Sequence, residues 1–339
     1  MARRLVKPFG SCCVVTARCL SPCRACINVM RHAPSMSPLM NAHDVQRQIY
    51  TLTKPHAAAG SNPGNCSTPC RIVISIATSI SEMRCMPFEP EPRTYYLGTS
   101  GWSHRDWVGK LYPLDMPFSD YLETYAQHFP AVEIERTFYD MPTPQAVQAW
   151  YRRSPDDFIF CPCLPKRITH DLRLRDTSRE LNHFLATIAG LHEKLGPILL
   201  QLPENFRVNE QPQLAAFLDT LPPDVQFAIE FRHGSWLKDS TYDLLNAHHI
   251  AWVVVDAPFL PRTPRVTANI AYVRWHGYPG VSQRTRHETD PAASLRPWVT
   301  ILRDLARQAE RVYGFVRNSY SGYAPRDGTV LTALLGEKD

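Results

Sequence analysis

No stretch of the sequence reaches the roughly 18 consecutive apolar residues that a membrane span needs. The longest candidate, Ile72 to Ile80, is broken by Ser75, Thr78 and Ser79, so no membrane is expected as a partner. Acids are nearly absent upstream: residues 1–81 carry nine Lys or Arg and one acid, Asp44, whereas residues 82–339 carry 28 basic against 31 acidic groups. The net charge of +5 thus belongs to the N-terminal segment. The rest lacks the net basic character that advertises a duplex-binding domain. Cysteine is scarce there too, only Cys161 and Cys163 following Cys85, so no disulfide framework staples it. Also missing are a glycine-rich dinucleotide fingerprint, a Walker loop and a nucleophile elbow, which argues against Rossmann-type hydride transfer and P-loop nucleotide hydrolysis.

What remains divides in two. Residues 1–92 run through Pro, Ser, Ala and Gly clusters without sustained periodicity and are expected to be a disordered or spuriously translated extension. The Arg- and Ser-rich opening resembles a mitochondrial transit peptide, so a mitochondrial location stands as the alternative to a cytoplasmic one. Cys23 and Cys26 with Cys66 and Cys70 are spaced too loosely for a zinc site. Residues 93–339 form the second part, 44% of the whole chain being apolar and sufficient for a sizeable core.

In that part short apolar runs alternate with amphipathic stretches, the pattern of a parallel sheet wrapped by helices. Strands are predicted at residues 95–100, 131–138, 158–164, 197–202, 226–232, 250–256, 270–276 and 311–317. Helices are predicted at 118–128, 144–153, 178–195, 211–218, 236–248 and 295–307. The proline-bearing connection 258–269 is expected to lack a full helix. Eight strands over about 245 residues are what an α/β, closed (β/α)8 TIM-like barrel needs.

Seven blocks, LGTSGW (97–102), VEIERTFY (132–139), CLPKRITH (163–170), LGPILLQLPENF (195–206), FAIEFRHGSW (227–236), YVRWHG (272–277) and VYGFVRNSYSGYAP (312–325), resemble in order the signature blocks of the YecE-like family, DUF72. The resemblance spans about residues 94–335 and implies a TIM barrel, but it supplies no activity. Three departures from the resembled pattern stand out: Glu135 and Arg136 where the family usually reads VEINSTFY, Cys163 where it often has Lys, and Arg317 followed by Asn318 where it tends to have paired Asn.

Alternation along the strands sorts their side chains. Glu133, Glu135 and Thr137 of the second strand fall toward the axis, as do Glu230 and Arg232 of the fifth and Tyr272, Arg274 and His276 of the seventh. Asp256 ends the sixth strand, and Gln201 and Asn318 end the fourth and eighth. Barrel enzymes work at the C-terminal mouth, so Glu230, His276, Asp256 and Glu135 are the candidate acid–base groups. Arg232, Arg274, Gln201, His170 and Asn318 are candidates to hold a substrate, with Trp102, Tyr139 and Trp236 as stacking surfaces. Glu133 lies deeper and is expected to be structural, and Cys161 and Cys163 read as packing thiols. Glu135, Glu230, Asp256 and His276 would also suit a divalent metal by ligand type, although no close-spaced ligand motif supports one.

The expected function is a hydrolase or lyase acting on a small polar, phosphate- or sugar-bearing ligand. A nucleic-acid-binding or repair-associated barrel and a non-catalytic binding module are the alternatives.

Overall fold

The computed structural model describes residues 15–19, 72–76, 94–277 and 290–337. The chain divides into two units, Met1–Pro90 and Glu91–Asp339. In the first, Val15–Cys19 pairs antiparallel with Ile72–Ile76. The other expectations for residues 1–92 lie outside the described residues.

Apolar, mostly β-branched and aromatic runs form the strands of the second unit: β1 Tyr95–Ser100, β2 Ala131–Ile134, β3 Ile159–Pro162, β4 Ile198–Gln201, β5 Phe227–Glu230, β6 Ala251–Asp256, β7 Ile270–Trp275 and β8 Arg311–Val316. Pairing is parallel throughout, in the order β3-β2-β1-β8-β7-β6-β5-β4. The two ends meet, with Phe160 opposite Leu195 and Cys163 opposite Leu199. The Leu164 amide donates to the Leu199 carbonyl at 2.8 Å, so the sheet comes round into a nearly closed TIM-like barrel. Its strands are buried on both faces, as a parallel sheet covered by helices requires.

The surrounding helices are α1 Tyr121–Ala126, α2 Arg136–Tyr139, α3 Pro144–Arg152, α4 Ser178–Ile188, α5 Gln211–Leu218, α6 Asp239–Ala247, α7 Pro291–Gln308 and α8 Ala324–Gly336. Their contact with the sheet is largely aromatic: Trp298 of α7 meets Trp275 of β7 edge-on at 5.2 Å, and Trp252 of β6 lies between Phe231 and Tyr242. β1 and β2 approach closely because Gly98 has no side chain. A Cβ there would lie 2.0 Å from the Ala131 carbonyl oxygen, which instead accepts from the Tyr125 hydroxyl of α1 at 3.1 Å.

Two expectations need correction. The second strand stops at Ile134 rather than continuing to residue 138, and the chain turns into α2. The turn is fixed by Thr137, whose hydroxyl bonds the Ile134 carbonyl at 2.8 Å and both the carbonyl and the amide of Cys163 at 2.7 and 2.9 Å, replacing ladder bonds with side-chain ones. The other difference is α8, which is not among the helices named from the sequence and which follows the last strand. Gly328 is needed there for packing, since a Cβ would press on the Phe129 ring at 2.9 Å. The connection 258–269 has no helix, as expected. It is pinned by the Thr267 hydroxyl, which accepts from the Trp252 amide and donates to the Ile250 carbonyl. Among the described residues no helix is long and apolar enough to cross a membrane.

Candidate active site at the C-terminal mouth

The register of β1, β2 and β3 sets Ser100, Glu133 and Cys161 side by side, and that of β4 and β5 pairs Gln201 with Glu230. Arg274 of β7 reaches across the interior to both groups. Its Nη2 donates to Glu133 Oε1 at 2.8 Å, and its Nη1 to Gln201 Oε1 at 3.0 Å and to Glu230 Oε2. All three charged side chains are essentially inaccessible. Burial of this kind is tolerable only when each charge is matched and hydrogen-bonded. Glu133 is completed by Ser100 Oγ at 2.7 Å and Tyr272 OH at 2.9 Å, which gives it the structural role expected of it. Glu133 and Glu230 together, against the opposing effect of burial, hold Arg274 well above the usual guanidinium range.

Glu230 links this interior to the mouth. Its Oε1 accepts from Arg232 Nε at 2.8 Å, and its Oε2 lies 2.8 Å from His276 Nε2. Burial acts to raise the Glu230 carboxyl, but Arg274, His276 and Arg232 overcome it and hold it well below the ordinary carboxylate value. His276 in turn has its Nδ1 at 3.3 Å from Arg317 Nη1. A guanidinium only donates, so Nδ1 must carry the lone pair and the ring hydrogen belongs on Nε2, facing Glu230. Burial, with the charges of Arg274 and Arg317, lowers the imidazole below its ordinary value despite Glu230, which agrees with that neutral tautomer. Arg317 Nη2 is ion-paired to Glu135. A continuous relay thus runs Glu133, Arg274, Glu230, His276, Arg317, Glu135, from the closed interior to two side chains about a quarter exposed.

The structure brings Glu230, His276, Glu135, Arg232, Arg274 and Gln201 together, sets His170 within reach of the Arg232 charge, and engages Asp256, Asn318 and Trp236 elsewhere. Asp256 is buried and bound by Arg262 at 3.1 Å and by the Trp298 indole N–H at 3.1 Å, so its carboxylate anchors the 258–269 connection and α7. Asn318 accepts from the Trp107 indole and the Ala324 amide and donates to Asp106, fastening the β8–α8 loop. Trp236 is fully buried, its N–H given to the Phe206 carbonyl at 2.8 Å. Trp102 packs edge-on against Trp150 and Phe160. The buried Trp236 has no free face for stacking, whereas Trp102 is only partly buried. Tyr139 is 67% exposed. His170, in a single π-turn at Arg167–Asp171, is held at about 4 by burial and by Arg232 and Lys166 and lies edge-on to Phe138. Cys161 and Cys163 are buried, their thiols pushed well up by burial and by Glu133, as packing thiols should be.

The donor set does not fit a divalent metal. Glu230 and Glu135 are engaged by guanidinium groups and Asp256 lies within a separate cluster. Among the described residues no three His, Cys, Asp or Glu side chains are placed to hold one. Sequence reasoning did not assign a site role to Arg317, although it marks that residue and Glu135 as departures from the resembled pattern. The two departures form one ion pair. A cavity of about 590 Å³ at the opposite, N-terminal end of the barrel is lined by Tyr95, Phe129, Phe158 and Leu335 among others and lies away from the relay.

Comparison with known proteins agrees with this architecture. A family described as "Protein of unknown function DUF72" matches residues 96–339. The UPF0759 protein YecE of Escherichia coli K12 is 37% identical over 138 residues, 41% of this chain, so the match spans about half of that relative, 48%. The UPF0759 protein YunF of Bacillus subtilis is 25% identical over 271 residues, 71% of this chain and 94% of the relative. Among solved structures, a DUF72 family protein of Thermotoga maritima is 30% identical with a TM-score of 0.63, covering 72% of this chain and 100% of its own. One from Enterococcus faecalis, at 22% identity and a TM-score of 0.59 over 72% of this chain and 98% of its own, shares the fold.

Proposed function

The chain belongs to the DUF72 family of proteins of unknown function, and from the geometry of its mouth we propose that it is an enzyme, a hydrolase or lyase, that moves a proton on a small polar substrate bearing a phosphate or sugar. The observation that carries this reading is the geometry of His276, whose Nε2 lies 2.8 Å from Oε2 of the buried Glu230 and whose Nδ1 lies 3.3 Å from Nη1 of the partly exposed Arg317. Proton uptake at Nδ1 produces an imidazolium whose charge meets the Glu230 carboxylate 2.8 Å away. This is the arrangement of a general base with an orienting partner. Arg232, anchored to Glu230 by Nε alone, offers its terminal nitrogens to a substrate oxygen, and the half-buried Gln201 at the end of β4 pairs in register with Glu230.

The test is turnover of a panel of sugar phosphates and nucleoside monophosphates by the full chain. General acid–base groups typically contribute about 10²–10⁴-fold, so His276→Ala is expected to lower kcat by at least about 10²-fold and Glu230→Gln to lower it as well. Folded variants with unchanged turnover would overturn the assignment.

A further inference from the structure

Glu135 and Arg317 close over His276, and among the described residues the Glu135 carboxylate is bonded to no group other than Arg317. Glu135 stands at the N-cap of α2 but makes no side-chain capping bond; its carboxylate goes to Arg317 Nη2 instead. Arg317 is fixed at its backbone, where its amide donates to the Trp275 carbonyl at 3.0 Å, so only its side chain needs to move. The pair is about a quarter exposed, whereas His276 and Glu230 behind it are 6% and 0% exposed. An ion pair this open to water is weakly held and open to competition from a dissolved anion.

Besides the buried Arg274, two guanidinium groups adjoin the Glu230–His276 pair from the mouth side, and they are satisfied unequally. Arg232 gives Nε to Glu230, lies over the Phe259 ring at 5.2 Å, and shows no partner for its terminal nitrogens among the described residues. Arg317 gives one terminal nitrogen to the imidazole and the other to Glu135. A carboxylate of the protein itself therefore occupies the position beside the base where an anionic substrate group would sit, and the guanidinium it retains covers the lone pair of that base.

We infer that Glu135 stands in for an anionic group of the substrate, and that a ligand carrying a phosphate or carboxylate displaces it from Arg317, drawing that guanidinium off Nδ1 of His276. The inference rests on the reading of His276 as the proton acceptor. The substrate class it assigns is a small acid or phosphate monoester whose anionic group lies next to the reacting carbon or oxygen. No bond is made or broken in the exchange: one anion replaces another on Arg317, and the imidazole is uncovered only in the loaded site.

The experiment is calorimetric titration of the full chain with inorganic phosphate and, separately, with acetate, in the native protein and in Glu135→Gln and Arg317→Gln. Glu135→Gln removes the internal competitor and is expected to tighten binding of one of the two anions about tenfold, since apparent affinity scales with the fraction of protein already competent to bind. Arg317→Gln is expected to weaken it by a similar factor. The anion that responds identifies phosphate or carboxylate as the group recognised. As a second measurement, the ¹⁵N resonances of the His276 ring should shift on anion addition in the native protein and stay fixed in Arg317→Gln. Unchanged or weaker affinity in Glu135→Gln, or no binding of either anion by any of the three proteins, overturns the inference. If Glu135→Gln fails to tighten binding while His276→Ala still abolishes turnover, only this inference falls. If His276→Ala leaves turnover intact, the acid–base reading falls whatever Glu135→Gln does.

Discussion

Arg274 serves two carboxylates at once in the barrel interior, Glu133 below and Glu230 above. Removing one member of such a group leaves the others charged and uncompensated, which costs about 3–5 kcal/mol. Arg274→Met should therefore lower the free energy of urea-induced unfolding by roughly that amount, and a loss under about 1 kcal/mol would show that the carboxylates do not depend on it. Much of this cluster was legible, because strand alternation fixes the face of Glu133, Glu230, Arg274 and His276. Alternation names a face and not a partner. Asp256 sits at a strand end just as expected, yet it is taken by Arg262 from a loop and by Trp298 from a helix 42 residues away. The same holds for Asn318, whose amide is spent on Trp107 and Asp106 more than 200 residues earlier.

At the scale of elements, strand positions were readable from β-branched and aromatic runs, and the exceptions have local causes. The block VEIERTFY continues an alternating pattern beyond Ile134, but the Thr137 hydroxyl reaches Cys163 just past the end of β3 and closes a helical turn instead. That partner lies 26 residues ahead, beyond the reach of any pattern within the block. Glycine within elements carries the complementary lesson, a missing side chain marking a close approach. Gly98→Ala would set a methyl 2.0 Å from the Ala131 carbonyl oxygen, forcing β1 from β2 and breaking the Tyr125 bond. Overpacking typically costs about 1–3 kcal/mol, so the variant is expected to melt several degrees lower by calorimetry. An unchanged Tm would mean that the strands separate without penalty.

For the molecule as a whole, the histidines set the response to acid. His170 is held at about 4 and His276 below its ordinary value of 6.5, so near that value the unfolded chain takes up protons that the folded chain refuses. Stability is then greatest above 6.5 and falls as the pH drops, the His170 share being lost between 6.5 and about 4. Glu230, held well below 4.5, adds a further loss at lower pH as its carboxylate is protonated. His248, raised by Asp219 and the Leu244 carbonyl, acts in the opposite sense, stabilising below 6.5 and ceasing to do so as the pH rises through its folded value. Its partner Asp219 is 72% exposed, so solvent screens the pair and it weighs less. Denaturant unfolding at pH 7, 5.5 and 4 should show His170→Gln losing less stability on acidification than the native chain, and parallel curves would contradict the assignment. The barrel itself was legible at this scale, from eight strand signals and seven ordered blocks. The pairing of Glu135 with Arg317 was not, because it joins the ends of β2 and β8 across a mouth that no local pattern describes.

The most direct measurement is the ¹⁵N spectrum of the His276 ring in the native chain at pH 7 and through an acid titration, repeated in Arg317→Gln. A neutral ring protonated at Nε2, with a pKa below 6.5 that rises when the Arg317 charge is removed, is the predicted result. A ring protonated at Nδ1, or an imidazolium at pH 7, would contradict the placement of a general base at the mouth of this barrel.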